Sequence, residues 1–232
     1  MAASAHLLFI PGLGCNARLY QPQLAFFAGR VAMSVADHTR GATMADIARQ
    51  ILAAAPPRFA LCGLSMGGYI SLEIMRQAPE RVERLALLDT TAAPDTPEGR
   101  ARRELNMQKT ADGRYEEVME ALWSALVHPD RHQDAALKAE VVGMMREVGA
   151  DAFLRQQGAI LQRIDSRPHL PAIACKTLAL VGEQDALTPV AAAREIAAGV
   201  RGAQLVIISD CGHMATMERP EAVNAALADW LA

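Results

Sequence analysis

Three residues in this chain have types and positions that permit nucleophilic catalysis: Ser65, Asp185 and His213. Ser65 lies in Gly63-Leu64-Ser65-Met66-Gly67, a G-x-S-x-G pattern followed by a further glycine, Gly68. Alone, the pentapeptide is common by chance. Here an apolar run, Phe59-Ala60-Leu61-Cys62, precedes it, and a helical pattern, Tyr69-Ile70-Ser71-Leu72-Glu73-Ile74-Met75, follows it. Between a strand and a helix it reads as a nucleophile elbow, a sharp turn that lifts a serine hydroxyl clear of a sheet. Such a turn holds the serine in a strained backbone conformation, and glycines on either side let neighbouring backbone come close.

A serine hydroxyl is a poor nucleophile at neutral pH and needs a base, which in turn needs an orienting group. Of six histidines, His213 directly follows the last apolar run, in Ser209-Asp210-Cys211-Gly212-His213. In a parallel sheet that loop opens on the same edge as the elbow, so His213 is placed to reach Ser65. Two carboxylates arrive on that edge: Asp185 after the run 177–181, and Asp89 after the run 85–88. Negative charge developing on an attacked carbonyl needs fixed donors. The Met66 N–H is one candidate. The Leu13 N–H is the other, in Pro11-Gly12-Leu13-Gly14, where glycines let the chain turn tightly enough to aim it.

The elements that must carry these residues are visible as periodicity. Apolar runs at 7–10, 31–35, 59–62, 85–88, 177–181 and 205–208 lack polar alternation, which suits strands buried on both faces of a parallel sheet. Helical patterns lie between them. Met44, Ile47, Ala48, Ile51 and Leu52 form one stripe, with Thr43 as its cap three residues before Asp46. Ala222, Val223, Ala226, Leu227, Trp230 and Leu231 form the last. Strand–helix alternation predicts a doubly wound, mostly parallel α/β sheet of about six strands.

Between about Pro94 and Pro171 the alternation stops and only helical stripes remain. One contains Val118, Met119, Leu122, Trp123, Leu126 and Val127, and another Leu137, Val141, Met144, Met145 and Val148. A third includes Phe153, Ile160, Leu161 and Ile164. The expected organisation is a core of residues 1–93 and 172–232 with a helical cap, 94–171, over the sheet's carboxyl edge. Met107, Met119, Trp123, Met144 and Met145 predict a mostly hydrophobic pocket, tolerant of varied shapes. Arg100-Ala101-Arg102-Arg103, flanked by Glu98 and Glu104, reads as a solvated helix face.

Composition narrows the partners. The 232 residues are 51% hydrophobic and 21% charged, with a net charge of −3. This gives no electrostatic reason to bind nucleic acid or an anionic membrane. Cys15, Cys62, Cys175 and Cys211 are dispersed without zinc spacing, which predicts reduced thiols and a cytoplasmic protein. A bulky reagent on Cys15 or Cys211 is expected to interfere with the site. The N-terminal stretch to His6 carries no basic residue, and its apolar run stops at Pro11-Gly12, unlike a signal peptide or membrane span. His128 and His132 are spaced like a metal pair, but Pro129 breaks the helix between them and no third ligand is evident, so no metal is expected. His6, His38 and His169 show no partner pattern.

Taken together, the glycine-rich loop after the first strand, Gly63–Gly68, Gly182-Glu183-Gln184-Asp185 and Gly212-His213 resemble the α/β-hydrolase superfamily over essentially the whole chain. The chain looks most like its small esterases and lactonases with a helical cap. The resemblance implies a Ser65–His213–Asp185 triad in the family's order, an oxyanion hole from Leu13 and Met66, and no cofactor. The loop pattern around Asp185 favours it over Asp89. The implied reaction is hydrolysis of a carboxylic ester or lactone of a small, largely apolar molecule. A thioesterase and a carbon–carbon bond hydrolase share the machinery, and a binding protein of this fold with negligible turnover is a further alternative. Two departures stand out. The chain starts at what corresponds to the family's third strand, implying an N-terminally shortened fold. Pro11-Gly12 replaces the usual His-Gly, which removes a histidine that braces the loop.

Overall fold

The computed structural model describes residues 6–232; residues 1–5, part of the stretch read above for a leader, lie outside the described residues. In chain order the elements are β1 (Leu7–Ile10), α1 (Gln21–Phe27), β2 (Met33–Val35), α2 (Met44–Ala54), β3 (Phe59–Leu64), α3 (Met66–Gln77) and β4 (Val82–Leu88). Then follow α4 (Pro97–Ala111), α5 (Tyr115–Leu126), α6 (Ala135–Val148) and α7 (Ala150–Leu161). The chain closes with β5 (Lys176–Gly182), α8 (Val190–Gly199), β6 (Gln204–Ile208), α9 (Ala215–Glu218) and α10 (Pro220–Leu231).

All six apolar runs are strands, and they form one parallel sheet in the order β2-β1-β3-β4-β5-β6. Burial on both faces holds for the four inner strands. The edge strands differ: β2 is only half-buried, and β6 is buried only at Ile208. An edge has a neighbour on one side alone, so its outer flank meets solvent.

Alternate residues of each inner strand enter opposite cores. Leu7 and Phe9 pack with Phe27 of α1 and Leu227 and Trp230 of α10, whereas Leu8 and Ile10 pack with Ile47 of α2 and Ile70 of α3. Thr43 caps α2 as expected, its hydroxyl accepting from the Asp46 N–H at 3.1 Å. Among the described residues no helix is long and apolar enough to cross a membrane.

The stretch between β4 and β5 holds four α-helices, one more than its stripes indicated. The extra one is α4, whose apolar residues are too few to mark a face. The basic cluster lies on it, and its reading as a purely solvated face is corrected. Arg103 turns inward, with its side chain 18% exposed, because Asp95 and Gln157 receive its guanidinium. Ile164 lies beyond the end of α7 and is exposed.

Candidate active site

The elbow forms where β3 must reverse into α3. Ser65 sits between them at φ 55°, ψ −115°, a left-handed conformation that costs a non-glycine residue about 1–3 kcal/mol. Surrounding bonds hold it there. Its N–H donates to Leu88 O at 2.9 Å, and its carbonyl accepts from Thr90 Oγ1 at 2.8 Å. The glycines make the turn possible by close approach: a Cβ on Gly67 would run into the Ile10 carbonyl, and one on Gly63 into Gly67 O.

Asp185 and His213 meet at the end of β5 and β6. The His213 Nδ1 lies 2.8 Å from Asp185 Oδ2, and both side chains are buried. An ionised carboxylate only accepts, so Nδ1 carries the proton and Nε2 keeps its lone pair when the ring is neutral. The other carboxylate valences are filled by Leu187 N at 2.8 Å, Thr188 N at 2.9 Å and Thr188 Oγ1 at 2.6 Å. Burial opposes ionisation of Asp185, but the His213 charge and the hydrogen bonds from His213 and Thr188 outweigh it and hold the carboxyl below its usual range. Burial likewise pulls His213 down, yet Asp185 outweighs it and the imidazole is raised above its ordinary value. The two loops touch because Gly182 has no side chain; a Cβ there would collide with Gly212 O.

Asp89 lies on the same edge but is bonded differently. Its Oδ1 accepts from Gly182 N at 2.9 Å, while its buried Oδ2 has no partner. Burial, then the charge of Asp185, pushes its carboxyl well above the usual range, which favours the protonated acid.

Ser65 and His213 line one cavity of 290 Å³, together with Leu13. No hydrogen bond joins the Ser65 hydroxyl to His213 in this structure. The loop after β1 lies against the elbow: a Cβ on Gly12 would sit 3.5 Å from Ser65 Cβ. The Met66 N–H opens α3, where unpaired N–H groups and the helix dipole favour negative charge. Helices contribute Leu122 and Leu126 from α5, Met145 from α6 and Ile160 from α7 to the walls.

A model of the alpha/beta hydrolase family matches residues 7–226. The chain belongs to the alpha/beta hydrolase family. A pimeloyl-(acyl-carrier protein) methyl ester esterase of Aromatoleum aromaticum is 28% identical to this hydrolase over 91% of this chain and 86% of its own length. Among solved structures, an esterase from Thermogutta terrifontis has a TM-score of 0.88 and 25% identity, covering 98% of this chain and 89% of its own. An enol-lactonase from Burkholderia xenovorans has a TM-score of 0.89 and 23% identity, covering 98% and 91%, which bears on the fold.

Several residues of the hydrolase's site carried no sequence signal. Glu218, buried on α9, accepts from Gly212 N at 3.0 Å and Met214 N at 3.1 Å, bracketing His213. The His213 N–H itself donates to Leu126 O at 3.1 Å. His38 and Gln156 grip the loop that contains Leu13. The His38 Nε2 lies 2.9 Å from Gly12 O and 3.1 Å from Gln156 Nε2, and Gln156 Oε1 accepts from Gly14 N at 3.0 Å. One ring nitrogen serves one neighbour at a time: protonated it donates to Gly12 O, and bare it accepts from Gln156. Burial holds His38 below its ordinary pKa, so the ring is neutral. A histidine from the loop after β2 thus braces the loop that follows β1.

Other expectations need correction. Of the five residues expected to make the pocket apolar, only Met145 lines the cavity; Met119, Trp123 and Met144 are buried in the packing cores. One wall is polar instead, with Asp95, Arg102, Arg103, Asn106, Gln157 and Arg163. All four cysteines are free. Burial pushes the Cys15 thiol up to about 12 and also raises Cys211, so neither offers appreciable thiolate to a reagent. His128 and His132 flank a short turn, His128 Nδ1 accepting from Asp130 N at 3.2 Å. Among the described residues no group of three His, Cys, Asp or Glu side chains is gathered to hold a metal.

Proposed function

We propose that the chain is a serine hydrolase that cleaves a carboxylic ester, or a lactone, through an acyl-enzyme, with Ser65, His213 and Asp185 as the triad. The observation that carries this reading is the buried 2.8 Å contact between Asp185 and His213 Nδ1, at a cavity that the strained Ser65 also lines. In the reaction, Ser65 Oγ attacks the carbonyl carbon and His213 Nε2 takes its proton. The oxyanion rests on the Leu13 and Met66 N–H groups, neither of which has an intramolecular acceptor among the described residues. His213 then gives the proton to the departing alcohol. Water, deprotonated by the same nitrogen, attacks the acyl carbon and releases the acid and Ser65. In this reading residues 94–171 act as a cap that shapes the substrate. The methyl ester esterase among the relatives supports an ester as the bond attacked.

The test is turnover of a chain-length series of p-nitrophenyl esters, with fluorophosphonate labelling of folded protein. The expected result is an adduct on Ser65 and a fall in kcat on the order of 10⁶ in Ser65→Ala. Turnover retained by folded Ser65→Ala overturns the proposal.

A further inference from the structure

The cavity that holds Ser65 and His213 carries more positive charge than cleavage of an ester requires. Its walls hold three arginines, Arg102, Arg103 and Arg163, against a single carboxylate, Asp95, in a chain whose net charge is −3. Asp95 is shared. Arg103 Nε donates to its Oδ2 at 2.9 Å, and Arg163 Nη2 to its Oδ1 at 2.9 Å. This network ties the loop after β4 to α4 and to the segment after α7, but it balances only one of the three positive charges. Arg163 is 7% exposed, stacks over the Tyr69 ring at 4.4 Å, and has a buried Nε without a hydrogen-bond partner. Arg102 lines the cavity from α4 and joins none of the ion pairs that engage its neighbours Arg100 and Arg103. Arg102 is exposed and, among the described residues, unpaired, and a cleft with an excess of one sign concentrates ligands of the other.

We infer that the α4 wall of this cavity is a carboxylate subsite, and that the substrate is a half-ester of a short dicarboxylic acid. This rests on the ester-cleaving reading and narrows its substrate class. A planar carboxylate matches the fork of a guanidinium, and Asp95 already shows one carboxylate shared by two of them here. The anion belongs on the acyl side. The alcohol must leave after the first step, whereas the acyl group stays on Ser65 until water attacks, and Arg102, which no carboxylate engages, is free to hold the part that stays. Tyr69, under Arg163, lies four residues after Ser65, about 6 Å along α3, which a chain of a few methylenes spans. Leu122, Leu126 and Ile160 would line those methylenes.

The experiment compares monomethyl glutarate with methyl 5-methylhexanoate, in which an isopropyl group replaces the free carboxylate. The wild-type hydrolase is expected to favour the half-ester in kcat/KM by at least about ten-fold, the usual scale of one charge-assisted hydrogen bond. Arg102→Gln should erode that ratio and Arg102→Glu should reverse it, while Arg102→Lys retains most of it. All three Arg102 variants change an exposed side chain, so folding is checked simply by thermal unfolding. Calorimetry of glutarate with Ser65→Ala reads the subsite without turnover, and adding Arg102→Glu should weaken binding at least about ten-fold. Equal or better use of the neutral ester, with fluorophosphonate labelling intact, overturns the subsite and leaves the serine mechanism standing. Loss of labelling and of all ester turnover overturns the mechanism. Glutarate binding that ignores Arg102→Glu overturns the subsite on its own.

Discussion

A carboxylate helps an imidazole act as a base only while it is ionised, and the two aspartates on this sheet edge differ on that point. His213 and Thr188 hold the Asp185 carboxyl below its usual range, whereas burial pushes that of Asp89, with one oxygen unpartnered, well above it. Asp185→Asn is therefore expected to lower kcat by roughly 10³–10⁴, since an amide leaves His213 in the wrong tautomer. Asp89→Asn introduces an isostere that tolerates the positive φ of 44° and carries no charge, and should keep most of the activity. Steady-state kinetics on both variants decide this. The pH profile follows with a definite sign. In the proposed mechanism catalysis needs neutral His213, so kcat/KM should rise with pH to a plateau, with its midpoint above 6.5 because Asp185 raises the ring. In Asp185→Asn that midpoint should move down. For folding the direction is opposite: the His213–Asp185 contribution is full below the unfolded-state value and lost as pH rises through the folded one.

At the scale of elements, the loop that contains Leu13 is held by two parts of the fold distant in sequence. His38 follows β2 and Gln156 lies on α7, and together they fix the carbonyl before Leu13 and the N–H after it. In the proposed mechanism both are positioning residues for the Leu13 N–H. His38→Phe and Gln156→Leu should each lower kcat by about ten-fold or more, short of the 10²–10³ expected for losing the donor itself, with KM nearly unchanged. His38→Asn, which keeps a donor for Gly12 O, should recover part of the loss. A rise in KM at constant kcat would show that the brace shapes binding instead. None of this was legible in the sequence, because His38 and Gln156 belong to no motif and meet only after β2 and α7 are packed.

At the scale of the molecule, the Asp95–Arg103–Arg163 network clamps the helices between β4 and β5 onto the sheet. Burial alone would raise the Asp95 carboxyl, but hydrogen bonds and charge from the two arginines hold it down to about 2. The stability it contributes is thus present above the unfolded-state pKa, about 3.9, and is lost as pH falls through about 2. Removing one partner of a buried pair strands the others, so Asp95→Ala should cost about 3–5 kcal/mol in urea unfolding at neutral pH. That cost should shrink on acidification below pH 4, where wild type weakens and the variant does not. The exposed pairs between Arg18 and α6, with Glu140 and Glu147, also bridge this region, yet at half-exposed positions each adds little.

The sheet and the elbow were readable in advance because their causes are local. Unalternating apolar runs need burial on both sides, and Gly63 and Gly67 mark a turn that only glycine permits. That Ser65, Asp185 and His213 arrive on one edge also follows from strands that run parallel. What the tertiary structure decided was which groups face each other there. The loop pattern favoured Asp185 over Asp89 only through the family resemblance, whereas the folded chain shows which carboxylate lies against Nδ1: Asp185 meets the imidazole and Asp89 does not. The inward turn of Arg103, and the charge of the cavity beside it, had the same origin. A polar helix such as α4 carries no stripe to say which side is covered, and Asp95, eight residues away, supplies the answer only once the chain has folded back.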